Sequence, residues 1–341
     1  MPGSGRWGGA MKGARIDGMG FADFSALREK LRASGGLLDM AESNLYAALP
    51  RSFPGRFEPV GQSQDPKAAY RCHVAEAFLE RWGFAEGFKA RASVTRGVRQ
   101  SLAGLFAMLA QAGARALLPS DVYPVYVDLA RAAGLDCVFY RARLGPPTAE
   151  LLAGASAVLV CDPLKPWGGA MGAQGEARLA AWARADPSGR LLMIDSAYAV
   201  DWSPASRRLV EGGAAMGLAS LSKGWLAPWR AGCAIAPSPW AARARVALAG
   251  FPKDEAALRV GFEALGKRAH MPGEVEQALR ELSEQALGRL GRECADLEGS
   301  GYLRVSSSSA DEWLARGVLA IPGSVFGDGG SGSVLSMLDP I

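Results

Sequence analysis

The chain has 341 residues, of which 49% are hydrophobic and 21% charged, and its formal net charge is +4. This is the composition of an ordinary soluble globular protein, long enough for a large α/β domain and a smaller second one. The basic residues are spread along the chain, so no nucleic-acid partner is expected, and the five cysteines and two histidines make neither a C-x-x-C pair nor a metal or Ser-His-Asp inventory.

Residues 1–14 are glycine-rich and basic without an apolar stretch, and read as a disordered start, not a signal peptide. No later run is apolar for long enough to span a bilayer, so no membrane partner is expected. Residues 15–60 form an N-terminal segment belonging to the smaller domain. Within it, residues 21–34 carry apolar side chains at helical spacing and then meet Gly35-Gly36, a helix stop. Residues 66–82 read as a second helix, inside a large domain spanning 61–240.

From about residue 93, helical stretches alternate with short charge-free apolar runs. Residues 100–112 and 125–133 read as helices. Residues 116–119, 157–161, 191–194, 217–221 and 232–236 read as strands buried on both faces of a mostly parallel sheet. A small C-terminal α+β domain, 241–341, begins with helix formers, including a long solvated helix over 274–297. Strands of a separate sheet follow at 302–306 and 317–321. Residues 327–333 read as a flexible glycine-rich turn. The cysteines read as buried, reduced thiols of a cytoplasmic protein.

The chemistry concentrates at strand ends. Ser220-Leu221-Ser222-Lys223 follows one buried strand, and Arg230-Ala231-Gly232 comes soon after. A buried ammonium costs several kcal/mol, a burden that a Schiff base with an aldehyde cofactor removes. Two serines and an arginine nearby suit a phosphate. Upstream, Asp195-Ser196-Ala197-Tyr198 ends another strand. A carboxylate there suits a protonated ring nitrogen, and a tyrosine three residues on suits a phenolic oxygen.

Together these segments resemble the class I/II aminotransferases, enzymes of the fold-type I pyridoxal-5'-phosphate (PLP) group. The resemblance covers roughly residues 90–335. It implies a large domain built on a mostly parallel, seven-stranded-type sheet between helices, with a smaller α+β domain. Lys223 would carry the cofactor as a Schiff base, with Asp195 under the ring nitrogen and Tyr198 at the phenolic oxygen. Ser220, Ser222 and Arg230 would hold the phosphate. Val94-Thr95-Arg96-Gly97-Val98-Arg99 resembles the family's glycine turn before a helix, which nominates Gly97, Val98 and Arg99 for the same phosphate. Tyr123 falls where an aromatic ring stacks on the cofactor. The family also implies a homodimer and a small amine or amino-acid substrate.

Three departures stand out. Asp162-Pro163-Leu164-Lys165-Pro166-Trp167-Gly168 places Lys165 where the family has an asparagine on the phenolic oxygen. Pro228-Trp229-Arg230 lacks a preceding glycine. Val334 stands where an arginine clamps the substrate carboxylate, leaving Lys165, Arg304 or a neighbouring subunit to serve instead. The expected function is a PLP-dependent aminotransferase of biosynthesis. Residues 40–45 are also similar to the A-E-N segment of aminocyclopropane-carboxylate synthases, which keeps a PLP lyase or cyclase as the alternative. A non-catalytic cofactor-binding relative is the third reading.

Overall fold

A computed structural model describes residues 15–42, 44–57, 84, 86–122, 124–169, 171–226, 232–249, 270–299, 302–327 and 332–338. The expected disordered start, the helix over 66–82, Tyr123, Arg230 and most of the glycine-rich turn lie outside these residues. In chain order the strands are β1 (Leu38–Asp39), β2 (Ala92–Thr95), β3 (Arg115–Pro119), β4 (Asp136–Tyr140), β5 (Ala157–Cys161), β6 (Leu191–Asp195) and β7 (Ala215–Ser220). They continue with β8 (Gly232–Ile235), β9 (Leu297–Glu298), β10 (Leu303–Ser306), β11 (Val318–Leu319), β12 (Ile321–Pro322) and β13 (Ser333–Ser336).

The seven-stranded sheet runs β2-β8-β7-β6-β5-β3-β4. Strand β8 is antiparallel to both neighbours, and every other pair is parallel. Strands β6 and β7 are buried along their whole length and β5 nearly so. Covered on both faces, they need no polar alternation, which explains their charge-free sequences. Strand β4 has no counterpart among the expected strands. It lies at the sheet edge, begins with the exposed Asp136 and is only partly covered, so its sequence lacks the uniform apolar run.

Beyond β8 two smaller sheets form. Strands β12-β13-β10-β9 make an antiparallel sheet, while β1 pairs in parallel with β11. The strand expected over 317–321 is therefore split, with β11 in the pair with β1 and β12, from Ile321, in the same sheet as β10. The expected helix over 274–297 is also corrected. The helix is Met271–Leu290, stopped by Gly291 at φ 59° with its N–H turned back to the Leu287 carbonyl. Its face is not merely solvated, since Val275, Ala278, Leu282 and Ala286 are buried. Among the described cysteines Cys233 is buried, whereas Cys137, Cys161 and Cys294 are only half-buried.

Residues near the start are fastened to this smaller unit. Arg28, on the helix Phe21–Ser34, donates to Asp39 at 2.9 Å and to Glu42 at 3.3 Å. The Ile16 N–H meets the Asp311 carboxylate at 2.6 Å, and the Ala310 N–H meets Asp17 at 2.9 Å.

Candidate active site

The parallel strands of the large sheet deliver their last residues to one rim, where open α/β sheets bind ligands. Asp195 ends β6 and pairs in register with Cys161, the last residue of β5. Lys223 lies in the turn just after β7. Gly97 follows β2 at φ 96° and opens the helix Val98–Gln111. The structure thus brings Gly97, Val98, Asp195, Tyr198, Ser220, Ser222, Lys223 and Lys165 to the same edge. Arg99 also lies on the first turn of that helix, with its side chain exposed.

Two close backbone approaches shape the rim. A Cβ on Gly232 would stand 2.5 Å from the Ala219 carbonyl and 2.7 Å from the Gly97 Cα, so the glycine turn and β8 touch directly. A Cβ on Gly224 would stand 2.6 Å from the Val200 carbonyl, which locks the Lys223 turn against the segment carrying Tyr198. Ser220 and Ser222 face each other, their hydroxyl oxygens 2.8 Å apart.

Asp195 is 7% exposed. One carboxylate oxygen accepts from the Tyr126 hydroxyl at 2.6 Å and the other from the Ala197 N–H at 2.8 Å. Burial raises its pKa above the usual carboxylate range, and those two donors pull it part of the way back. The Tyr126 hydroxyl also lies 3.2 Å from the Cys161 sulfur. Its own pKa stands well above 10, first through burial and then through the Asp195 charge, so it remains a donor. Sequence reasoning missed Tyr126. The partners are 69 residues apart, and nothing in the local pattern distinguishes that tyrosine from a core residue.

The amines are equally unusual. The Lys165 Nζ lies 3.4 Å from the Tyr198 ring centroid and the Lys223 Nζ 5.1 Å from the same centroid. Burial lowers the Lys223 amine to about 8, against a smaller opposing pull from Glu42. Lys165 is held well below the usual lysine value, first by burial and then by repulsion from Lys223. Beside them a cavity of about 630 Å³ runs from Lys165 and Tyr198 to the helix Met271–Leu290 and to Tyr302 and Arg304. Val334, at the position of the expected carboxylate clamp, is fully buried on β13.

Among the described residues no cluster of acidic, histidine or cysteine side chains could hold a metal, and no helix is long and apolar enough to cross a membrane. No curated protein sequence matches the chain. Solved structures do resemble it. A probable N-succinyldiaminopimelate aminotransferase from Thermus thermophilus superposes with a TM-score of 0.70 at 22% identity, covering 93% of this chain and 95% of that one. Substrate-bound BacF from Bacillus subtilis gives 0.70 at 20% identity, over 94% and 91%. A double mutant of the Thermus thermophilus aspartate aminotransferase gives 0.66 at 19% identity, over 96% and 94%. At these identities the likeness speaks for the fold, the fold-type I architecture of PLP-dependent transferases. The family model for aminotransferase class I and II matches residues 48–319, most of the chain, and the protein therefore belongs to the class I and II aminotransferases.

Proposed function

We propose that the protein transfers an amino group from an amino acid or a related amine, using PLP held on Lys223. The observation that carries this reading is Asp195. It is a buried carboxylate with two hydrogen-bond donors and, among the described residues, no cationic partner. A buried carboxylate of this kind fits a cationic ring nitrogen, and the neighbouring strand end supplies an amine whose pKa of about 8 leaves an ample neutral, nucleophilic fraction near neutrality. When bound, the cofactor supplies an aldehyde that captures amines and a cationic ring that draws electrons from the substrate α-carbon.

The residues then divide the work. Asp195 holds the proton at the ring nitrogen. Tyr198 would serve the phenolic oxygen, and Tyr123, outside the described residues, is assigned to the ring face by the family resemblance alone. Gly97, Val98, Arg99, Ser220 and Ser222, joined on the family resemblance by Arg230, would hold the phosphate, with backbone N–H groups at the start of the helix Val98–Gln111 as donors. Lys223, when its amine is free, would be the base that takes the substrate α-proton and returns it. The same reading includes a cytoplasmic homodimer with a biosynthetic role, and domain limits near residues 60 and 240.

The test is direct. Purified protein given PLP should gain visible absorbance that borohydride removes, leaving the label on Lys223. A protein that stays colourless, or label found elsewhere, overturns the assignment. Glu42, whose charge reaches Lys223, keeps a second reading, a lyase or cyclase on the same fold, worth separating. Transamination consumes a keto acid and leaves an aminated cofactor, whereas elimination does neither.

A further inference from the structure

The cavity of about 630 Å³ lies apart from the rim residues assigned to the cofactor. None of Gly97, Asp195, Ser220, Ser222 and Lys223 lines it. Its walls are the segments that follow β5 and β6, the helix Met271–Leu290 and the start of β10, so it sits where the large domain meets the smaller unit. A volume of this size suits a small organic molecule.

Four carboxylates line it, those of Asp162, Asp201, Glu276 and Glu284. Among the described residues none of the four makes an ion pair. Two guanidinium groups line it as well, Arg280 and Arg304, and the second is engaged with the Gly299 carbonyl and the Ser283 hydroxyl. Lys165 adds little positive charge, because burial and Lys223 hold its amine well below the ordinary lysine value. The balance is acidic.

Asp162 decides what kind of ligand fits. It is 0% exposed. One of its oxygens accepts from the Ser203 and Ser206 hydroxyls, which anchors the start of the helix Pro204–Glu211. That role accounts for one oxygen only, and the other has no hydrogen-bond partner. A buried anion left partly bare is costly and calls for a donor or a cation. On the smaller unit's side the hydroxyl of the buried Tyr302 is likewise unpartnered. Between these groups the lining is largely hydrocarbon, from Pro163, Leu164, Val200, Leu279 and Leu287. Such walls suit an organic cation better than a metal ion, and among the described residues no cluster of metal-binding side chains forms.

We propose that this cavity is a binding site for an organic ammonium ion, an amine with an apolar body. Its charged nitrogen pairs with the Asp162 carboxylate, and its hydrocarbon part packs on Leu279 and Leu287. Glu276 and Glu284, both exposed on the same helix, attract the cation at the mouth. A ligand seated there touches the large domain and the smaller unit at once, and so fastens one to the other. The site is separate from the amine chemistry of Lys223 and requires no imine.

The test uses the PLP-loaded protein and N,N-dimethylbenzylamine, a tertiary amine that is protonated at neutral pH and cannot form an imine with PLP. N,N-dimethylbenzamide is its neutral counterpart. Calorimetry should show one-to-one binding of the amine with a Kd of about 1 mM or tighter, and at least ~10-fold weaker binding of the amide. Cofactor-free protein should bind the amine equally well. Asp162→Asn should weaken the amine at least ~10-fold and leave the amide unchanged. Glu276→Gln combined with Glu284→Gln, two substitutions on an exposed helix face, should weaken the amine by about 2- to 10-fold and lessen its dependence on salt. Amine and amide bound alike, or no binding of millimolar amine, overturns the proposal. So does binding that PLP loading abolishes, which would put the amine in the cofactor's pocket, and so does an affinity that neither variant changes. Should Asp162→Asn fail to fold, the double variant decides alone, and an unchanged affinity there overturns the proposal. A protein that never takes up PLP refutes the functional reading instead, and the same titrations on cofactor-free protein still decide this one.

Discussion

Tyr126→Phe isolates one hydroxyl at the centre of the site. It keeps the ring, which is 3% exposed, and removes the 2.6 Å bond to Asp195. A hydrogen bond to a charged group contributes about 1.5–3 kcal/mol, so losing it disfavours the charged carboxylate by that order and the Asp195 carboxyl should titrate higher. That value is already raised by burial, and the substitution pushes it further in the same direction. The stability loss has a defined pH window. At pH below the unfolded carboxylate value Asp195 is protonated in both states, and the missing bond to its charged form costs little. As pH climbs through the folded value the native state must carry the charge with only the Ala197 N–H donating to it, and the full loss develops. The assay is a carbon NMR titration of labelled aspartates in cofactor-free protein, paired with urea unfolding across the same range. An Asp195 titration that stays in place, with a loss equal at every pH, would reduce Tyr126 to packing and refute the reasoning.

Two further outcomes follow from the rim. Gly232→Ala places a methyl group between two backbones and should cost about 1–3 kcal/mol in unfolding experiments. Because one of those backbones is the Gly97 turn, PLP affinity should fall as well, and a variant destabilised with no loss of PLP affinity would show that the turn and the cofactor are independent. The capture of PLP by Lys223 requires the neutral amine, so its rate should climb with pH and reach half its plateau near pH 8. A half-plateau near the ordinary lysine value would mean that the amine is solvated.

What the sequence disclosed was the order of chemistry along the rim. Strands β5, β6 and β7 are buried on both faces, so each had to be an uninterrupted apolar run, and the polar residue ending each run marked the sheet's edge. Lys223 and Asp195 were legible for that reason. The edge strand β4 was not, because one exposed rim of the sheet relaxes the same requirement. Pairings between distant segments were also hidden: Tyr126 with Asp195, and Arg28 with Asp39 and Glu42, meet through tertiary packing that no local period encodes. The long helix was drawn past its end because its polar pattern continues through Gly291, whose left-handed conformation stops it. Lys165 was noticed as a substitution, but its burial against Tyr198 could come only from the fold.

The parallel pairing of β1 with β11 has a consequence for how the chain is made. Residues 16–40 make long-range hydrogen bonds to residues 310–336, so on the ribosome these bonds wait until that distant segment emerges. The central sheet has no such delay and can close first, whereas the smaller unit is a late assembly that depends on contacts of very high sequence separation. Destabilising β1 or the Arg28 cluster should therefore lower the yield of finished protein in the cell more than it disturbs the rim once folding is complete.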